Sequence, residues 1–115
     1  MEKPKIFEKS VMVEDLKINC FTVVFENGVF VSIFGEKAKI GSLVLAVPMT
    51  IDGETQSIVI SGKEDLLPRA FSEKVAHVLN KFVLLSLSAD VNAEANKKEI
   101  FELLNSVMLE VKKES

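Results

Sequence analysis

Two strand-like runs, residues 16–25 (LKINCFTVVF) and 29–35 (VFVSIFG), flank Glu26-Asn27-Gly28 and are predominantly apolar. Asn-Gly between such runs predicts a hairpin with a type I′ turn, whose central residues both need positive φ. A two-residue loop at Asn27-Gly28 sets Phe25 opposite Phe30, Val24 opposite Val31, Val23 opposite Ser32 and Phe21 opposite Phe34. Strand alternation then puts Phe21, Val23, Phe25, Phe30 and Phe34 on one face, and Cys20, Thr22, Val24, Val31 and Ile33 on the other. Neither face is polar, whereas an antiparallel sheet ordinarily leaves one face to water. Helices can cover one face. The other requires a second layer or another chain.

Further strands are predicted at residues 5–13, before a Glu14-Asp15 turn, at residues 42–50 and at residues 56–61. Leu43, Leu45, Val47 and Met49 share one side of the fourth strand and are expected to carry it into the core. Pro48 cannot donate to a ladder and belongs at an edge or near the strand's end. With no helix between these five strands, an antiparallel meander is the economical topology.

After Ser61-Gly62-Lys63 the period changes. Pro68 suits a first helical turn, and Phe71, Val75, Val78, Leu79 and Phe82 recur at helical spacing. The helix must stop near Asn80, because residues 82–87 (FVLLSL) read as a short buried strand. Asn92 is a candidate cap for a second helix, with Glu94 in its first turn, Ile100, Leu104, Val107, Met108 and Val111 as its apolar stripe, and Lys112 and Lys113 at its end. The expected fold is α+β: an antiparallel sheet of about six strands in the order β-β-β-β-β-α-β-α, two helices packed on it, and its second face covered in a dimer.

At 115 residues, 48% hydrophobic and 27% charged, the chain is expected to form a single domain over 1–115. A net charge of −3 with interleaved lysines and acids argues against nucleic acid as a partner. Cys20 is the lone cysteine, which excludes an intrachain disulfide and a multi-cysteine zinc site. The charged N-terminus has no apolar run behind it, and no stretch suits a membrane span, so a soluble cytoplasmic protein is expected.

Residues 34–48, FGEKAKIGSLVLAVP, invite comparison with a phosphate loop, which needs lysine directly after its second glycine and a helix beyond. Here Ser42 follows Gly41 and a strand follows Ser42, so the glycines read as turn residues permitting positive φ. His77, the sole histidine, falls opposite the first helix's stripe with no partner, and no serine sits in G-x-S-x-G. Asp52 and Glu54 lie in a glycine-containing loop that lacks the ligands of a calcium site. No catalytic, cofactor or metal site is expected. Leu109 is an oddity: it falls opposite the second helix's stripe, beside Glu102 and Asn105, where the period predicts a polar residue.

Phe34-Gly35, then Lys39-Ile40-Gly41-Ser42-Leu43-Val44, resembles the F-G-x-x-G-[TS]-L-V signature of the proteasome assembly chaperone 3 family. Asn19-Cys20-Phe21-Thr22, the strand up to Pro48, the strand ending in Gly62, a helix carrying Phe71 and the strand Val83-Leu84-Leu85-Ser86-Leu87 follow in the family's order. Two departures stand out: a longer stretch between the glycines, and a shorter loop over residues 51–57.

The resemblance implies a non-catalytic chaperone that needs no nucleotide, forms a homodimer or a heterodimer with a related chaperone, and holds proteasome α-subunits during ring assembly. A generic dimeric scaffold module of another α+β family is the alternative, and a small ligand-binding protein a further one. The expected dimer interface is Phe21, Val23, Phe25, Phe30 and Phe34, or else the opposite Val24-Val31-Ile33 face; sequence assigns residues to faces but not faces to partners. Expected partner contacts are Glu36, Lys37, Lys39, Asp52, Glu54 and Leu109.

Overall fold

A computed structural model describes residues 3–48, 54–62 and 66–114. The elements follow as β1 (Lys5–Val13), β2 (Leu16–Val24), β3 (Gly28–Phe34), β4 (Ser42–Val47), β5 (Gln56–Ser61), α1 (Leu66–Leu79), β6 (Phe82–Leu87) and α2 (Lys97–Lys113). The element order and the α+β class are those expected. Glu14-Asp15 joins β1 to β2, with Glu14 at φ 57° and Val13 paired to Leu16. Pro48 directly follows β4, at the strand's end as expected.

The sheet is not a meander. Its order is β1-β2-β3-β6-β4-β5, with β3 and β6 parallel and every other neighbouring pair antiparallel. In β6, Val83, Leu85 and Leu87 are buried on one side and Leu84 is half-buried on the other, so this strand needs a neighbouring strand along each edge. A central position supplies it. In β5 exposed Gln56, Ile58 and Ile60 alternate with more buried residues, and that short strand takes an edge.

Inserting β6 between β3 and β4 explains the two glycines of FGEKAKIG, because residues 35–41 must cross the end of β6. A Cβ on Gly41 would stand 2.1 Å from the carbonyl oxygen of Leu87, and one on Gly35 would stand 2.7 Å from Oδ2 of Asp90. Close approach, not the expected positive φ, is the constraint; among the described glycines only Gly62 has positive φ. The crossing is tied down at both ends. Gly35 N–H donates to Asp90 Oδ1 (3.3 Å), Asn19 Nδ2 donates to the Gly35 carbonyl (2.8 Å), and Gly41 N–H donates to Ser86 Oγ (2.9 Å).

The β2–β3 hairpin departs from its expected register by two residues. Val24 pairs with Val29, Val23 with Phe30, Phe21 with Ser32 and Asn19 with Phe34. Phe25 N–H donates to the Gly28 carbonyl (2.8 Å), so the two loop residues are Glu26 and Asn27, and neither Asn27 nor Gly28 has the positive φ of a type I′ turn. Tertiary contacts override the local preference. Gly28 pairs with Phe82 of β6, Phe82 N–H donates to the Asn27 carbonyl (3.3 Å), and Lys81 Nζ donates to the Phe25 carbonyl (2.9 Å). A slip of two leaves the pleat parity intact, so the face assignments hold.

The helices cover the Cys20 face. Helix α1 lies on β4, β5 and β6, burying Phe71, Val75 and Ala76, while α2 lies on β1 and β2 through residues that include Ile100, Leu104 and Val107. Phe71 and Phe101 meet edge to face with ring centroids 4.8 Å apart. From the sheet, Ile18, Cys20, Val24, Val31, Ile33, Val83 and Leu85 enter this core. In β4 the core residues are Val44 and Ala46; Leu43, Leu45 and Val47, expected in the core, are only half-buried on the other face, and Met49 lies outside the described residues.

Helix α1 ends at Asn80, whose φ of 54° provides a left-handed stop, so Phe82 leaves the helical stripe and begins β6. Asn92 does not cap α2. Its Oδ1 accepts from Ala95 N–H (3.0 Å) to open a separate turn, and α2 starts after Asn96. Two polar ties bind helices to edge strands. Arg69 donates to Ser57 Oγ and to its carbonyl (both 3.1 Å) while Ser57 Oγ donates to Glu73, and Lys9 pairs with Glu110 at 2.9 Å.

Candidate functional site

Among the described residues, no helix covers the second sheet face. Register places one residue from every strand in a single transverse row: Ile6, Val23, Phe30, Leu84, Leu45 and Ile58. All six are apolar. The four central ones are half-buried by their neighbours, and the two ends are open, Ile6 at 62% and Ile58 at 61% exposure. At the hairpin end, Gly28 separates Phe25 (47% exposed) from Phe82 (48% exposed). At the opposite end Phe21 adjoins Ser32, and Ser86 lies between Ser32 and Leu43 in register, with both serines buried. At a corner on β1 and β2, Glu8, Ser10, Lys17 and Asn19 line a more polar depression beside Phe21 and Phe34.

A contiguous apolar band running across every strand of a sheet differs from scattered surface hydrophobes, which are ordinary. The expected interface set Phe21, Val23, Phe25, Phe30 and Phe34 lies together on this face. The alternative face, Val24, Val31 and Ile33, is buried under the helices within the chain. Sequence reading missed Ile6, Leu45, Ile58, Phe82 and Leu84. Their alternation was legible, but only strand pairing shows which side each presents.

The expected partner contacts are dispersed. Glu36, Lys37 and Lys39 are exposed in the crossing at the end of β6, and Glu54 is exposed before β5, at the opposite end of the sheet. Asp52 lies outside the described residues. Leu109 is 63% exposed on α2, on the helical side of the molecule.

Among the described residues, two titratable groups are perturbed for structural reasons. Burial pushes the Cys20 thiol up to about 11, opposed by its hydrogen bond with Thr22 Oγ1 (3.5 Å). The Asp90 carboxyl is held below its usual value first by Ser88 Oγ, which donates to it at 2.5 Å, and also by Gly35 N–H and the charge of Lys39. His77 is exposed on α1. Among the described residues no cluster of three or more His, Cys, Asp or Glu side chains could hold a metal, and no helix is long and apolar enough to cross a membrane.

No protein-family model matches the sequence, and no curated protein matches it either. Among solved structures, the chain is similar to one in the crystal structure of a novel chaperone complex for yeast 20S proteasome assembly. The two share a TM-score of 0.61 over 96% of this chain and 97% of that one, at 10% sequence identity. The two chains therefore share one fold over nearly the full length of both.

Proposed function

We propose that this protein is a non-catalytic chaperone subunit of the proteasome assembly chaperone 3 type. It pairs through its uncovered sheet face with a second copy or a related subunit and holds proteasome α-subunits while their ring assembles. The observation that carries the reading is the six-residue apolar row spanning every strand, on a fold similar along its whole length to a chain from a proteasome-assembly chaperone complex. Two such faces packed about 10 Å apart would shield each other's apolar side chains, as in a β-sandwich. Chaperone action then consists of reversible binding, with specificity supplied by surfaces outside the row, including the Glu36, Lys37 and Lys39 segment.

Pull-down of the purified protein against the proteasome α-subunits of the same source tests this directly. Enrichment of one α-subunit at low salt is expected, and failure to enrich any of them removes the reading. Light scattering on the same preparation is expected to give a dimer. A strictly monomeric species at high concentration would instead assign the open face to a different partner chain.

A further inference from the structure

Ser32 of β3 and Ser86 of β6 are register partners, and the boundary between those two strands is the midline of the sheet, with three strands on either side. Both serines belong to the open face, in the row next to Phe30 and Leu84. Both are buried there, Ser32 at 7% exposure and Ser86 at 0%. Ser86 Oγ accepts from Gly41 N–H (2.9 Å) and still has its own proton to donate. Ser32 Oγ has no hydrogen-bond partner among the described residues. Buried hydroxyls are ordinarily paired, so this exception asks for a partner from outside the chain.

The charges and shape of the face say which chain that is. Among its strand positions only Glu8 of β1 and Lys17 of β2 are charged, both on one side of the midline, while β6, β4 and β5 present no charge to it. The two ends of the apolar row are almost equally open, Ile6 at 62% and Ile58 at 61%. A two-fold axis running along the strands at the midline lays Ile6 of each copy over Ile58 of the other, and sets Glu8 and Lys17 against uncharged strands. No like charges meet.

We infer, building on the pairing role proposed for this face, that its occupant is a second copy of this chain placed by that axis, with Ser32 and Ser86 as the polar centre of the interface. Sheets packed face to face lie about 10 Å apart, so the short serine side chains of the two copies leave room about one water wide between them. A water there meets Ser86 of one copy and Ser32 of the other, and gives Ser32 its missing bond. A slip of one row would set the serines against Phe30 and Leu84 and leave the hydroxyl unpaired, so the pair fixes the register of the dimer.

Two measurements test this. Ile6→Cys and Ile58→Cys each carry one exposed thiol, native Cys20 being buried. With a short bis-maleimide, a mixture of the two variants is expected to give covalent dimer, and either variant alone to give none. By sedimentation, Ser32→Ala is expected to weaken the dimer about tenfold or more, since each dimer loses two hydroxyls. In a monomeric Val23→Glu background the same change should not lower the urea midpoint, because the hydroxyl has no bond within the chain to lose. Efficient cross-linking of Ile6→Cys to itself, unchanged dissociation of Ser32→Ala, or a lowered midpoint in the monomer would each overturn the inference and leave the pairing role of the face standing. A wild-type protein that stays monomeric at high concentration overturns both.

Discussion

Gly41 runs so close to Leu87 that a Cβ at position 41 would lie 2.1 Å from the Leu87 carbonyl oxygen. The Leu87 carbonyl carbon and the Ser88 Cα would each be 2.7 Å away, and because all three are backbone atoms none can rotate aside. Gly41→Ala must therefore push β4 from the end of β6. A loss of about 3 kcal/mol is expected, read as a drop in Tm of roughly 10 °C or more. Gly35→Ala meets only the Asp90 carboxylate, a side chain that can swing outward, and should cost about 1 kcal/mol. Equal losses in the two variants would contradict the crossing geometry.

Val23 and Val31 sit in adjacent register rows on opposite faces of the same hairpin. Val31 is 1% exposed beneath the helices, so Val31→Asp buries an unpaired charge and should leave little folded protein by circular dichroism. Val23 is half-buried in the open row, so Val23→Glu is expected to stay folded and to convert dimer to soluble monomer by light scattering. A folded dimeric Val23→Glu protein would move the interface off this face.

Cys20 links stability to alkaline pH. Its thiol titrates near 11 in the folded chain against a reference of 9.0, so folded protein retains a proton that unfolded protein loses between those values. Stability is therefore undiminished by this group below pH 9.0 and falls as pH rises toward 11, by up to about 1.4 kcal/mol per pH unit. Urea titrations of wild type and Cys20→Ala at a series of pH values should show that slope in the wild type and its reduction in the variant. The native thiol should also react with a disulfide reagent only as fast as the protein opens.

Asp90 gives the opposite sign. Its folded pKa is depressed below 3.8, so its contribution is present above that value and is lost as pH falls through the lower folded pKa. The Gly35 amide, which donates to this carboxylate, is expected to lose hydrogen-exchange protection on acidification and to be unprotected at neutral pH in Asp90→Ala. Protection that survives in Asp90→Ala would mean that the crossing is held by Asn19 and Ser86 instead.

Sequence alone determined the inventory of elements and the sorting of hairpin residues into two apolar faces. Both follow from short-range periodicity, and the two-residue slip to Val24–Val29 pairing left the sorting unchanged because side chains repeat every second residue. The outward position of Leu109 was legible for the same reason, from helical spacing. Only tertiary structure decided that β6 enters in parallel between β3 and β4, that helices cover Cys20 and not Phe21, and that Ile6, Leu84, Leu45 and Ile58 complete one row. Those outcomes depend on pairings between residues far apart in the chain, such as Phe30 beside Leu84, and on competition among strands for the most buried place in the sheet. Local pattern carries no term for that competition, and for the same reason it presents the glycines of FGEKAKIG as turn residues although residues 35–41 cross the end of β6.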